Sequence, residues 1–176
     1  FMTSPRMALM GLILSAVAFT FSACQPAHPG LQHVPTDIDA STTCSLDGMT
    51  LADYPGPKAQ ILYAGQAKPT FFCDTVEMFH AVLRPEQVKA IDAVFVQDMG
   101  QADWVKPQGR WIDAKTAFYV HGSKRAGSMG PTIVSFAVKA NADKFASENG
   151  GKVFKFADIT PEMADLCGGG MPDSKM

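Results

Sequence analysis

The stretch Pro69-Thr-Phe-Phe-Cys73-Asp74-Thr-Val-Glu77-Met-Phe79 decides how the rest of this chain is read. Pro69 to Cys73 is a short β-type run. Asp74 with Glu77 three positions on is a capping box: the aspartate accepts from free amides of the first helical turn while the glutamate reaches back to the aspartate's own N–H. A strand therefore gives way to a helix at Asp74, expected to continue to about Leu83. Upstream, Gln60-Ile-Leu-Tyr-Ala64 is another β-type run, and the Gly-containing turn between the two makes a hairpin. Downstream, Pro85 suits the first position of a second helical stretch, Glu86 to Ile91, and Val94-Phe-Val-Gln-Asp-Met99 is a strand. The order is β-β-α-β.

The same order recurs further along. Thr116 to His121 reads as a strand, Gly122 to Gly130 as a glycine-rich loop, and Pro131 to Val138 as a second strand. Ala140 to Asn149 reads as a helix with Asn141 as N-cap and Gly150-Gly151 as its stop, and Lys152 to Ala157 alternates as a closing strand. A Pro-Thr pair opens the second strand of each half, at Pro69-Thr70 and Pro131-Thr132. The fold expected is α+β, two similar β-β-α-β units at about 44–100 and 111–160 within a body of 44–160. Each unit is too small to bury much surface alone, so the two should share a core or pack edge to edge. Beyond Pro161 a short helical turn reaches Leu166. Cys167-Gly-Gly-Gly-Met171 follows, which no regular element would hold, so 161–176 reads as a flexible tail.

Composition narrows the function classes. Of 176 residues, 47% are hydrophobic and 18% charged, enough apolar material for a core and too much for whole-chain disorder. Fifteen Lys and Arg against 17 Asp and Glu leave a net charge of −2, without the clustered cations that nucleic acid demands. At the N-terminus, Arg6, an apolar run from Met7 to Phe21 and the small pair Ser22-Ala23 form a secretory signal over 1–23, too short to span a bilayer. With Phe at position 1, Met2 or Met7 is the expected initiator. Phe21-Ser22-Ala23-Cys24 resembles a bacterial lipobox, which would make Cys24 the lipidated first residue of the mature chain. Its leading Phe departs from the usual small aliphatic residue and leaves an ordinary signal peptidase as the alternative. Residues 24–43, rich in Pro and small residues, read as a tether from a membrane anchor to the folded body.

Ten Met and four Cys are the chemistry that stands out. There is no Gly-x-Ser-x-Gly elbow, no His-Glu-x-x-His and no Walker spacing, so the expectation is a protein that is not an enzyme and has no small-molecule substrate. Thiolates and thioethers select Cu(I) over harder ions. Cys44 and Met49 share a loop turned by Gly48, and Met129 sits between Ser128 and Gly130 where a core role does not fit. Cys73 ends a strand at the helix junction, and His121 falls at the sheet rim beside the Met129 loop. Against this, Met78, Met99 and Met163 suit a core better than a ligand role, and Cys44 with Cys73 suit a structural disulfide in an oxidising compartment.

Asp47-Gly-Met49, Asp53-Tyr-Pro-Gly-Pro-Lys-Ala-Gln-Ile61, Phe71 to Phe79, Phe95-Val-Gln-Asp-Met99, Trp111 to Val120 and Gly127-Ser-Met-Gly-Pro131 together closely resemble the NosL family, from about Cys44 to Ile159. The resemblance implies a periplasmic lipoprotein, expected at the outer membrane, that delivers Cu(I) during assembly of the multicopper nitrous oxide reductase. It implies as partners the ABC-type transporter of that assembly pathway and, through it, the reductase. It also implies two β-β-α-β units, with Met49 and Met129 as thioether ligands. Cys73, Met78 and His121 lie in matching segments, and Cys44 would add a thiolate. Relatives often carry a second cysteine just before the Gly-Met, where this chain has Asp47. The site expected is shallow, with two or three soft ligands and a place left for the acceptor's. Trp104 and Trp111 are candidates for the docking surface, though Trp111 also suits the core. The rival is a structural or adaptor lipoprotein that binds no metal and holds a Cys44–Cys73 disulfide.

Overall fold

The computed structural model describes residues 33–84 and 86–166. After a 3₁₀ turn at Leu51–Asp53, β1 (Ala59–Tyr63) and β2 (Thr70–Phe72) form the first hairpin, and α1 (Thr75–Val82) follows. Then come β3 (Ile91–Gln97), β4 (Trp111–Asp113), β5 (Phe118–His121), β6 (Ala126–Gly127), β7 (Gly130–Pro131) and β8 (Val134–Phe136). The helix α2 (Lys139–Asn149), β9 (Lys152–Lys155) and a 3₁₀ turn at Phe156–Asp158 close the series. Asp74 caps α1 as expected: its side chain accepts from the Val76 N–H at 3.0 Å, and Glu77 accepts from the Asp74 N–H at 3.3 Å.

Among the described residues the strands form two larger antiparallel sheets, ordered β2-β1-β3-β4 and β8-β5-β9, and a two-stranded ribbon, β6-β7. In both larger sheets, the first strand of a β-β-α-β unit lies between the second and the last. The topological repeat therefore extends from element order to strand order. The class is α+β, and the two units share one core. Ile61, Phe72, Phe79 and Val96 of the first half pack with Tyr119, Ile133 and Ile159 of the second. Phe79 meets Tyr119 edge-on at 4.9 Å. A second tie runs from the end of β3, where Met99 N–H donates to Ser135 O at 2.9 Å and Ser135 Oγ to Gln97 O at 2.6 Å.

Three local expectations are corrected. No helix occupies 86–90. The backbone there is already committed, since Ala90 O accepts from Ala64 N–H and the Gln87 amide binds both the N–H and the C=O of Lys89. Pro85 itself lies outside the described residues. Asn141 sits inside α2 rather than capping it. The helix begins at Lys139 with Val138 at the N-cap, and the preceding Ala137 N–H is held by buried Asp98 from the first half at 3.1 Å. The loop from Gly122 to Gly130 contains β6, which pairs with β7 in a two-strand ribbon turned by Ser128 and Met129. The edge strand β4 is three residues long, too short to show alternation in the sequence. Among the described residues no helix is long and apolar enough to cross a membrane.

Tyr119 offers a direct check on the shared core. Its side chain is fully buried and the hydroxyl donates to Ala114 O at 2.6 Å. Burial pushes its pKa upward from 10.0, with the charge of Asp113 adding to the shift. The folded state thus holds a proton that the unfolded chain releases, so this contribution is full below pH 10.0 and declines above it. We expect Tyr119→Phe to cost about 1 kcal/mol at neutral pH. The wild-type and variant stabilities in urea titrations should converge as pH rises past that point. A gap that stays constant would contradict this assignment.

Candidate soft-metal site

The site begins with the loop that carries Cys44. Thr43 and Thr50 form an isolated antiparallel bridge, and Gly48 turns the loop at φ 78°, a left-handed conformation open to glycine. Cys44 N–H donates to Met49 O at 2.8 Å, and the Asp47 carboxylate accepts from Met49 N–H at 2.9 Å. Ser45 N–H then ties the loop to β2 through Phe71 O at 2.9 Å. This last bond brings Cys44 against the end of β2, where the chain turns into α1 at Cys73.

Both thiols converge on one carboxylate oxygen. Glu77 Oε2 accepts from Cys44 Sγ at 3.2 Å, Cys73 Sγ at 3.3 Å and the Cys73 N–H at 3.1 Å, as well as from the Asp74 N–H. Cys44, Cys73 and Glu77 are all buried, and with exposed Asp47 they place one ligand atom each within 4.8 Å of the others. The two cysteines are free thiols. Met49 packs against this pair together with Ile38, Leu51, Phe71 and Trp111. Trp111 is anchored by its indole N–H to Asp37 at 2.9 Å.

The electrostatics separate the two sulfurs. A hydrogen bond from Cys73, helped by the Leu46 N–H at 3.4 Å, lowers the Cys44 thiol pKa against the cost of burial. Cys73 is driven the other way, by its interaction with the neighbouring Cys44 sulfur, by burial and by the negative charge of Glu77. Cys44 is therefore the sulfur that ionises first. Behind them lie two further buried groups. Burial raises Asp74 to about 6 and lowers Lys58 to about 8, each moderated by the other's charge.

The remaining sequence candidates fall in different places. Met129 projects from the β6–β7 turn, 58% exposed, and lines a cavity of about 240 Å³ with Leu46, Asp47, Glu77 and Leu166. Asp47 and Glu77 thus belong both to the thiol cluster and to the wall of the cavity that Met129 lines. Met78 is fully buried in the main core rather than in the sulfur cluster. His121 ends β5 and lines a neighbouring cavity with Thr132, Glu162 and Met163, and burial lowers its pKa. Met99 packs with Trp104 in the second-half cluster, where Trp104 stacks on Phe145 and carries the Arg125 guanidinium at 4.3 Å. Cys24 and Cys167 lie outside the described residues.

Sequence reasoning assigned Glu77 only a capping role and Asp47 only a departure from a motif. A cysteine immediately before a capping box was the available signal, because the reach-back geometry that satisfies the Asp74 N–H necessarily brings the carboxylate past residue 73.

An α+β protein with two buried thiols, a shared carboxylate and thioethers at the margin is defined by its donor set as a candidate soft-metal binder. The family model NosL matches residues 35–164, and the chain belongs to that family. It is similar to the copper-binding lipoprotein NosL of Stutzerimonas stutzeri, 36% identical over 92% of this chain and 87% of the relative. To the protein of the same name from Achromobacter cycloclastes it is 38% identical, over 90% and 83%. The crystal structure of the copper chaperone NosL from Shewanella denitrificans superposes with a TM-score of 0.69 at 38% identity, covering 73% of this chain and 96% of the other. These relatives are described as copper-binding lipoproteins and a chaperone, not as enzymes.

The ordering of the thiols is open to measurement. In an NMR titration with ¹³Cβ-labelled cysteine, Cys44 should begin to shift below its usual 9.0, with Cys73 remaining protonated throughout that range. Titration of Cys73 first would overturn the assignment of Cys44 as the primary thiolate.

Proposed function

We propose that this chain is a Cu(I) metallochaperone of the bacterial cell envelope, taking the ion as cargo at Cys44 and Cys73 with Met49 and Met129 completing a soft shell. The observation that carries the reading is the convergence of both thiols on Glu77 at 3.2 and 3.3 Å. Metal binding requires deprotonated sulfur, so Cu(I) releases two protons from the pair; Glu77, hydrogen-bonded to both thiols, can pass them one at a time toward solvent. Sulfur donors favour Cu(I) over the carboxylate-preferring ions. Met129 lies at the exposed end, so an acceptor's ligand can replace a thioether before the thiolates let go.

The relatives' names support copper as the cargo and lipid attachment as the mode of localisation. The finer reading is that Cys24 anchors the protein on the periplasmic side, at the outer membrane. From there it delivers copper to the ABC-type transporter of the nitrous oxide reductase assembly pathway and, through it, to the reductase. It rests on the lipobox-like Phe21-Ser22-Ala23-Cys24 and on the motif resemblance from Cys44 to Ile159.

Anaerobic Cu(I) titration against a competing chelator tests the proposal. The wild type should bind one ion, and Cys44→Ser with Cys73→Ser should weaken binding by about a hundredfold or more, given that loss of groups merely supporting a metal ligand already costs about 10–100-fold. Met49→Leu with Met129→Leu should weaken it less. No binding by the wild type, or binding indifferent to the cysteine pair, would overturn the proposal.

A further inference from the structure

Lys58 is fully buried at the start of β1, beneath the sulfur cluster, and its ammonium makes three hydrogen bonds. It donates to Pro55 O at 2.9 Å, to Cys73 O at 3.0 Å and to Ser128 Oγ at 2.8 Å. Ser128 is the residue next to Met129 in the β6–β7 turn. Its hydroxyl hydrogen is in turn shared between Pro55 O and Cys73 O, and its N–H donates to Asp74 Oδ2 at 3.3 Å. Asp74 also holds Thr132, just past β7, at 2.7 Å.

Packing closes the same contact. A side-chain carbon on Gly56 would lie 2.7 Å from Gly127 Cα, and one on Gly127 would collide with Asp74 Oδ2 and with Thr132. The turn from the second half is thus pressed onto the strand-to-helix junction of the first, and it admits nothing larger than glycine on either side of the contact. Few positions of a chain place a buried ammonium where three neutral oxygens from three separate segments meet. Desolvating that charge is costly unless each bond is made.

We propose that Lys58 is a positioning residue which, through Ser128, pins the Met129 turn against the Cys73–Asp74 junction and so holds the second half's thioether over the first half's thiols. This rests on the copper reading for its consequence but not for the clamp itself. Without the clamp, Met129 on an exposed two-residue turn would have to be ordered each time the ion is bound. With it, that ordering is built into the apo fold, and loss of either member of the clamp should remove the contribution of Met129 as a unit.

A double-mutant cycle separates positioning from general destabilisation. Met129→Leu and Lys58→Met should each lower Cu(I) affinity by a similar factor, on the order of tenfold, with the double variant no weaker than either one, because coupled residues fail to add. Ser128→Ala, which removes only the hydroxyl, should reproduce the effect and serves if Lys58→Met does not fold. In the apo protein, hydrogen exchange of the Ser128 amide should accelerate in Lys58→Met and Ser128→Ala by more than any change at Val96 in the core. Losses that multiply in the double variant, or an unchanged Ser128 amide, would overturn the clamp. Accelerated exchange in the two variants, with a wild type that binds no copper, would uphold the clamp and sink the copper reading instead.

Discussion

The structure turns on a single carboxylate oxygen. Glu77 Oε2 receives two thiols and two backbone amides where β2 becomes α1. As a helix cap it satisfies the Asp74 N–H, which the helix itself cannot. The same bond geometry forces a buried negative charge to face Cys73. A buried charge must find partners. Those partners are the two sulfurs, and the loop that delivers Cys44 is held in place by the bond from Ser45 to Phe71 O.

From that oxygen outward, the rest of the first half reads as support. Lys58 neutralises part of the charge from below and Asp74 binds across to Thr132 and Ser128, so two buried ionisable groups connect the thiol pair with the second half's turn. The internal repeat explains why a second half exists in that position at all. Its sheet completes the hydrophobic core through Tyr119 and Ile133, and its β6–β7 ribbon reaches the mouth of the site. One half supplies the two thiols with Met49, and the other the Met129 thioether.

Much of the fold was legible because its signals are local. The Asp74–Glu77 capping box, the Gly150-Gly151 stop and the apolar runs at Gln60 and Thr116 all act within a few residues, and each marks an element that exists. The errors arose where a distant partner decides. Ala90 is held by Ala64 just past β1 instead of continuing a helix, and Asp98 supports the start of α2 from the other half, displacing Asn141 from the cap. The site divides in the same way. Cys44, Met49, Cys73 and Met129 were visible as sulfur in loops and junctions. That Cys44 and Cys73 meet depends on a loop folding back over 29 residues, and Glu77 and Lys58 join them only in three dimensions. Met78, placed one position after Glu77, faces the core because a helix turns it away.

The claim at the centre is that both buried thiols become ligands of the same ion, and X-ray absorption at the copper edge on anaerobically loaded protein addresses it most directly. The account predicts a Cu(I) edge with a first shell dominated by sulfur, in which replacing either Cys44 or Cys73 by Ser removes one sulfur scatterer. A shell of nitrogen and oxygen, or a sulfur shell unchanged by both replacements, would contradict it.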